Sequence, residues 1–451
     1  MRGMYLISYS VRGVKTLDEW ARLSFYKKTI TKDFTVKNYN VKGIYGANGS
    51  GKSAIITSLR ILRGAITDVR YFNDSMNQKK MNELVNKKLG KMDFDVEYLA
   101  RLEEGSILYR YQMTVGRGID GNYVIEKEKL TAQNATSHTE KIKTIFLVEN
   151  GIVQNLLTNG KYAETICEKT RNLLGNASLT AEAMNKVVFQ HLEEYIKEDL
   201  HMEFAYHFLF GIGLFAYLDT EDEHTGYFLN SMIYQINEKA KSKVARELVD
   251  YMELLDREKL YSLSSKTMLI EKDRYTYFEE QVGQLKEFLS IFKKDLKRIT
   301  VDKRENKDYF SCELILHYDG YSVNAEFEST GIKKLIRLFP YLQKMVNGET
   351  VFIDELDSNL HDVYLCALLE YLMEYGKGQL CFTTHNIGPM DILKKNKKSL
   401  DFLSVDHHIY SWKRNGNYSP SKLYRCGMIE GSPFNIESVD FLSVFELDGD
   451  E

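Results

Sequence analysis

Two short segments hold the residues best suited to chemistry, a glycine-rich one at 46–53 and an acidic pair at 354–355. The first reads Gly-Ala-Asn-Gly-Ser-Gly-Lys-Ser and ends in Lys52 and Ser53. Glycines let the backbone turn until successive N–H groups face phosphate oxygens, and the lysine adds a positive charge. The acidic pair, Asp354 and Glu355, follows an apolar run that reads as a buried strand. Together the two segments predict a site for a nucleoside triphosphate.

The residue types suggest a role for each side chain in this site. Lys52 would contact the β- and γ-phosphates of ATP, and Ser53 and Asp354 would bind Mg²⁺. Glu355 would polarise the attacking water. The other residues predicted to contact the nucleotide here are Gly46, Asn48, Gly49, Ser50, Gly51 and Ala54. Either segment alone could be a glycine-rich turn or an acidic strand end, but the two in this order favour nucleotide binding.

The predicted elements around the glycine-rich loop suit this chemistry. Residues 39–45 read as a strand and residues from 54 onward as a helix, so the loop connects the two. Earlier strands are predicted at 4–11, 20–25 and 34–39. Alternation of apolar and polar residues predicts an antiparallel sheet with one solvated face over 94–98, 107–115 and 123–130.

Three more segments lie near the acidic pair in the sequence. A helix predicted to begin at Ser329 has apolar residues at Ile332, Leu335, Ile336 and Phe339. Ser358 follows the acidic pair by three positions, and a later apolar strand ends in His385. His385 would be either a core or surface histidine or a sensor of the γ-phosphate.

In wording and order, these segments resemble the SMC/RecF/OLD branch of the ABC-type ATPases. The resemblance rests on the glycine-rich loop, on Asp-Glu-Leu-Asp-Ser-Asn-Leu-His at 354–361 and on Thr-His-Asn at 384–386. The chain is especially similar to the stand-alone AAA family ATPases of bacterial phage-defence operons, among them those of PARIS, Septu and retron systems. The similarity covers residues 1–150 and 280–435 and leaves out the middle.

The resemblance implies a fold, an assembly and further site residues. The fold would be α/β, a P-loop NTPase of ABC-ATPase type with a mixed sheet and an antiparallel β subdomain, interrupted by a helical insert. Ser329 and Gly331 would form a signature motif that contacts the γ-phosphate held by a second copy of the chain. Ser358 would lie in the D-loop, and His385 would be the switch histidine. Two chains would enclose two Mg-ATP as a homodimer or a higher oligomer.

The chain departs from the family pattern at several points. Residues 329–333 read Ser-Thr-Gly-Ile-Lys rather than Leu-Ser-Gly-Gly-Gln, which favours a soluble head over a transporter motor. No glutamine loop can be assigned, with Gln78 and Gln112 as weak candidates. Only about 65 residues follow His385, too few for the nuclease domain of the OLD proteins, so nuclease activity is not expected.

We predict an N-terminal lobe at 1–154, a compact helical insert at 155–280 and a C-terminal lobe at 281–451. The insert is inferred from helical spacing at Val244, Leu248, Met252 and Leu255. Its apolar residues never continue as heptads, which argues against a long coiled-coil arm. The apolar run at 208–218 is too short to span a membrane and reads as a buried helix-turn or a partner surface.

Composition predicts a cytoplasmic protein with no membrane segment. The 451 residues are 43% hydrophobic with a net charge of −4, which argues against a surface that is basic overall for nucleic acid. Local lysine runs read as solvated faces, with a nucleic-acid track as the alternative. The five cysteines include no Cys-x-x-Cys pair, so reduced thiols and no zinc hook are expected. None of the histidines has specific metal-ligand spacing.

Two functions from different classes remain open. The first, on resemblance alone, is the sensor and scaffold subunit of an antiphage system that controls a separate effector such as a nuclease or toxin. The second is a RecF/SMC-like clamp that binds nucleic acid in DNA repair or maintenance. The motor of a membrane transporter is the weakest reading.

Overall fold

The structure, a computed structural model, describes residues 3–102, 105–137, 141–157, 161–173, 175–184, 202–218, 263–413 and 418–432. These residues form an α/β fold with three sheets, which confirms the predicted fold class. No helix in this part of the chain is long and apolar enough to cross a membrane.

The described chain contains both strands and helices. The strands are β1 Gly3–Arg12, β2 Ala21–Ser24, β3 Val41–Gly46, β4 Met92–Arg101, β5 Ser106–Arg117, β6 Tyr123–Asn134, β7 Lys143–Glu149, β8 Ile152–Leu156, β9 Leu214–Tyr217, β10 Met268–Glu271, β11 Arg298–Glu305, β12 Tyr309–His317, β13 Ser322–Asn324, β14 Thr350–Ile353, β15 Gln379–Thr383, β16 Leu400–Leu403 and β17 Ile409–Ser411. The α-helices are α1 Lys52–Thr67, α2 Ser75–Leu84, α3 Lys161–Leu173, α4 Leu179–Ala183, α5 Glu203–Ile212, α6 Tyr275–Phe292, α7 Thr330–Asn347, α8 Asp362–Tyr375, α9 Met390–Leu393 and α10 Pro420–Arg425.

The central sheet has the order β17-β16-β3-β15-β14-β9, and all its neighbours are parallel except β17 and β16. β3, β9, β14 and β15 are buried along their whole length, as expected for parallel strands covered on both faces. β15 lies between β3 and β14, and the three strands run parallel. Their carboxyl ends therefore lie at the same edge of the sheet. In open α/β sheets, this edge is where ligands bind.

The antiparallel sheet predicted from period-two alternation is present, in the order β2-β1-β4-β5-β6-β7-β8. Its buried face carries Tyr98, Tyr109 and Tyr111, which are fully enclosed. Its solvated face carries charged pairs such as Arg110 with Asp95. The third sheet pairs β12 with β10, β11 and β13. This sheet shares an apolar core with α6 and with the start of α7, which positions the segment around Ser329.

Residues 203–217 fall within the predicted helical insert, but the structure places them in the central sheet and against α1. Strand β9 forms the edge of the central sheet beside β14, and α5 packs against α1. The apolar run at 208–218 is therefore the end of a buried helix followed by a buried parallel strand. Periodicity alone does not distinguish a short buried strand from a helical segment. The residues that suggested the insert, Val244, Leu248, Met252 and Leu255, lie outside the described part of the chain.

Residues 34–39 were predicted to form a strand and do not. Phe34 and Val36 are buried in a small apolar cluster with Ile30 and Leu99. The segment then turns, because the Tyr39 N–H donates to the Val36 carbonyl and Asn38 adopts a φ of 74°. A left-handed residue of this kind interrupts an extended strand.

A buried ion pair joins two strands of the central sheet. Lys42 on β3 and Asp401 on β16 are 2.6 Å apart, and their side chains are 1% and 0% exposed. Asp401 also accepts a hydrogen bond from the Ser411 hydroxyl, and Lys42 also donates to the Lys398 carbonyl. Every polar atom of the pair is therefore engaged, so the pair tolerates burial as long as both members are present.

Replacing Lys42 with Met should lower the free energy of unfolding by about 3–5 kcal/mol, because Asp401 would remain buried without its cation. Urea unfolding followed by circular dichroism measures this loss. Lys37→Met is the matched control, since the Lys37–Glu374 pair is 56% exposed on both sides and should cost less than about 1 kcal/mol. Equal stability of the two variants would contradict the structural role of the buried pair.

Candidate active site

The glycine-rich loop lies at the carboxyl end of β3, and helix α1 begins within it at Lys52. Gly51 is the residue before this helix and adopts a φ of 102°, which is strained for any side chain with a Cβ. A Cβ at Gly51 would also lie 2.6 Å from a methyl carbon of Leu17, so the turn before β2 packs directly on the loop. The N–H groups at the start of α1 form a favourable site for an anion.

Lys52 lies inside the loop, with its side chain largely buried. Its Nζ donates to the carbonyl oxygens of Gly46 and Ala47 at 2.8 and 3.0 Å. Burial lowers the pKa of Lys52, and the nearby carboxylates of Asp354, Glu355 and Asp357 oppose this shift. The structure thus brings the predicted phosphate-binding lysine and the predicted acidic residues into one electrostatic environment.

The acidic pair follows β14, and Thr383 at the end of β15 holds both of its members. The Thr383 hydroxyl donates to Asp354 Oδ1 at 2.6 Å and accepts from the Glu355 N–H at 2.8 Å. Glu355 has a φ of 48°, an uncommon conformation for a residue other than glycine, and its side chain is exposed. Such strained residues cluster at functional sites, where the surroundings fix them.

His385 is exposed and lies just beyond β15, between the strands that lead to the glycine-rich loop and to the acidic pair. Its neighbour Asn386 ties this segment to Asp357, because the Asn386 N–H donates to Asp357 Oδ2 at 3.1 Å. The position suits a sensor of the terminal phosphate. The sensor role itself stays a prediction.

The segment predicted as a signature contacts Ser358 and Asn359 of the same chain, in the segment predicted as the D-loop. Ser329 is the N-cap of α7, and its hydroxyl accepts from the Ile332 N–H at 3.4 Å. A Cβ at Gly331 would lie 3.0 Å from the Asn359 carbonyl oxygen, so a side chain here would press on the D-loop. The Ser358 hydroxyl accepts a hydrogen bond from Lys334 on the same helix. Ser329 itself is exposed and free of such crowding.

The residues present fit Mg-ATP. Within the described chain, the buried oxygens without a hydrogen-bond partner include Ser50 Oγ, in the loop, and Asp357 Oδ1, after the acidic pair. Lys52 donates only to backbone carbonyls, which phosphate oxygens would replace as stronger acceptors. Ser53 and Asp354 supply the hydroxyl and the carboxylate oxygens that Mg²⁺ prefers.

Sequence reasoning missed three residues that shape this site: Thr383, Lys334 and Asn359. Thr383 ends the strand that precedes His385, and only His385 was assigned a role there. Lys334 has the sequence pattern of an ordinary helical lysine. The weak glutamine-loop candidates have other partners. Gln78 ties α2 to the backbone of Phe72 and Tyr123, and Gln112 donates to Asp95 on the sheet surface.

Two of the described histidines, His207 and His407, form side-chain hydrogen bonds. His207 is buried, and its Nδ1 forms a hydrogen bond with the Tyr98 hydroxyl at 2.9 Å. His407 Nδ1 forms a hydrogen bond with Asp18 Oδ1 at 2.7 Å. Across the described ranges, no group of three or more His, Cys, Asp or Glu side chains could hold a metal ion. His201 and His224 lie outside those ranges.

Comparison with known proteins gives one family match. The family model described as "AAA domain, putative AbiEii toxin, Type IV TA system" matches residues 42–391, which span the loop, the acidic pair and His385. No curated protein matches the chain significantly.

Several solved structures are similar to the chain at low sequence identity. The recombination mediator protein RecF matches at 14% identity and a TM-score of 0.39, covering 92% of this chain and 99% of its own. An SMC head bound to the C-winged helix domain of ScpA matches at 13% and 0.42, covering 93% and 99%. The SMC head domain from Thermotoga maritima matches at 12% and 0.33, covering 91% and 100%.

Proposed function

Since the chain belongs to this family of AAA domains, we propose that it binds and hydrolyses Mg-ATP at sites shared between two copies of itself. The observation that carries this function is the convergence of Lys52, Asp354 and Glu355 at the carboxyl ends of β3 and β14, two parallel strands on either side of β15. A phosphate-binding loop beside paired carboxylates is the arrangement that P-loop ATPases use.

Each side chain has a definite task in this mechanism. The N–H groups of residues 46–53 and Lys52 bind and orient the phosphates. Bound Mg²⁺ supplies neutralising charge on the phosphate oxygens, and Ser53 and Asp354 are the residues that would hold it. Glu355 orients water and accepts its proton as the water attacks, while Thr383 fixes the backbone from which Glu355 extends. His385 senses the terminal phosphate.

Surface chemistry around the signature supports a second copy as the partner. Ser329 is exposed, and so is the apolar side chain of Phe327, two positions before it, at 78%. Exposed apolar groups beside functional polar ones are typical of interaction surfaces. A partner copy placed here would bring its own phosphates to Ser329 and Gly331, and Ser358 would contact the same nucleotide.

The assay for this function measures ATP turnover and the mass of the assembled protein. Purified protein should release phosphate from ATP only with Mg²⁺. With a slowly hydrolysed ATP analogue and Mg²⁺, sedimentation velocity should show the monomer mass doubling or rising further, and EDTA should reverse the change. Hydrolysis without any nucleotide-dependent change in mass would contradict the shared site. No hydrolysis under any condition would contradict the enzyme itself.

The biological role that fits this chemistry is a sensor and scaffold that holds or releases a separate effector in antiphage defence. Two points support it: the sequence resemblance and the toxin–antitoxin wording of the family description. An adjacent gene for a nuclease or toxin would agree with this role. A RecF/SMC-like clamp, the alternative, would instead bind duplex DNA with an affinity that falls steeply with salt concentration.

A further inference from the structure

A lysine of the signature helix is completely buried beside the acidic pair. Lys334 lies on α7 three residues after Gly331, and none of its surface is exposed to solvent. Removing an ammonium group from water is costly unless acceptors replace the water. The groups that accept hydrogen bonds from Lys334 therefore indicate which segment of the site this buried lysine holds in place.

Two of these acceptors belong to the catalytic segment. Lys334 Nζ donates to the backbone carbonyl of Glu355 and to the hydroxyl of Ser358. The Glu355 N–H is held from the opposite side by Thr383. Both backbone polar groups of the strained Glu355 are thus fixed by side chains, one from β15 and one from the signature helix.

The start of α7 touches the same segment at two more points. The Thr330 hydroxyl donates to Asn359 Oδ1 at 3.4 Å, and Gly331 approaches the Asn359 carbonyl so closely that a Cβ would be 3.0 Å away. Ser329, one position before Thr330, is the residue assigned to the partner's phosphate. A shift of this helix start would therefore displace residues 355–359 with it.

We propose that Lys334 is a positioning residue that couples the signature helix to the general base, so that a phosphate bound by Ser329 on one face aligns Glu355 of the same chain for its own nucleotide. This coupling rests on the proposed ATP hydrolysis and adds a link between the two shared sites. Lys334 acts through the backbone of Glu355.

Lys334→Met tests this link, because methionine fills the buried space without the ammonium group. We expect kcat to fall about tenfold or more, while the KM for ATP stays within about threefold, since the glycine-rich loop and Lys52, which bind most of the phosphate charge, are unchanged. Lys395→Met is the control. Lys395 Nζ pairs with Glu370 at 2.9 Å, both side chains are more than half exposed, and loss of this pair should leave kcat unchanged.

A double variant separates positioning from general stability. If Lys334 acts through Glu355, then adding Lys334→Met to Glu355→Gln should slow the residual single-turnover rate no further. Additional slowing would overturn the coupling. Lys334→Gln, uncharged and one bond shorter, gives a second test if the methionine variant does not fold. A folded variant of either kind with wild-type kcat would also overturn it.

The two proposals fail in different ways. Normal hydrolysis by Glu355→Gln would remove the proposed base and, with it, the proposed mechanism. An inactive Glu355→Gln together with an unaffected Lys334→Met would refute the coupling alone.

Discussion

Glu355→Gln should lower kcat for ATP hydrolysis by roughly 10²–10⁴-fold while ATP still binds. Glutamine keeps the size of the side chain and its hydrogen bonds, but it cannot accept the proton of the attacking water. The backbone at this position is held by Thr383 and Lys334, so the substitution should leave the loop undisturbed. Phosphate release and fluorescent-nucleotide binding measure the two effects separately.

Glu349→Gln provides a control for that variant, because this carboxylate lies at the opposite, amino-terminal end of β14. It should hydrolyse ATP at a rate close to wild type. A Glu355→Gln enzyme that retains more than about a tenth of wild-type turnover would exclude Glu355 as the general base.

Lys52→Ala should weaken both nucleotide binding and turnover, with a loss of roughly 10²–10³-fold in kcat. The reason is that Lys52 is the cation that the loop buries next to the phosphate position, and burial strengthens its effect on a bound anion. Titration with fluorescent ATP and phosphate release check the two losses. Lys37→Ala, from an exposed pair with Glu374, should change neither. Tight ATP binding by Lys52→Ala would contradict the assignment of the loop.

The sequence was sufficient for those parts of the site that depend on local patterns. The glycine-rich loop and the acidic pair need fixed residue types at fixed spacing, so both could be found without a structure. The family match, an AAA domain over residues 42–391, includes both segments. The antiparallel sheet was also predictable, because one buried and one solvated face produce a period of two.

Tertiary contacts explain what sequence reasoning did not find. Strand β9 is four apolar residues after an apolar helix, and only its pairing with β14 identifies it as part of the head. Thr383 and Lys334 are ordinary residue types, and their roles depend on neighbours 28 and 21 positions away. Gly331 reads as part of a signature motif, yet the structure shows its close approach to Asn359 within the same chain.

The shared site can be tested by mixing two inactive variants. A variant at Gly331 is unsuitable, because any side chain there would press on the D-loop of its own chain. Ser329→Asp avoids this problem, since Ser329 is exposed and aspartate also caps a helix. The aspartate carboxylate should repel a partner's phosphate. Asparagine has the same shape as aspartate and also caps a helix but is neutral, so Ser329→Asn should stay active.

Phosphate release by an equimolar mixture of Lys52→Ala and Ser329→Asp is the most direct measurement of the central claim. A mixed dimer has one site with an intact loop from the second chain and an intact Ser329 from the first. Random pairing should therefore complete up to about a quarter of the sites. Glu355 of each completed site lies in the chain that carries Ser329→Asp, so the coupling through Lys334 is lost there. Activity should return to about a tenth of that quarter, still well above two preparations that are inactive alone. A mixture as inactive as its components, or a Ser329→Asp protein that is fully active by itself, would contradict a nucleotide site shared between two chains.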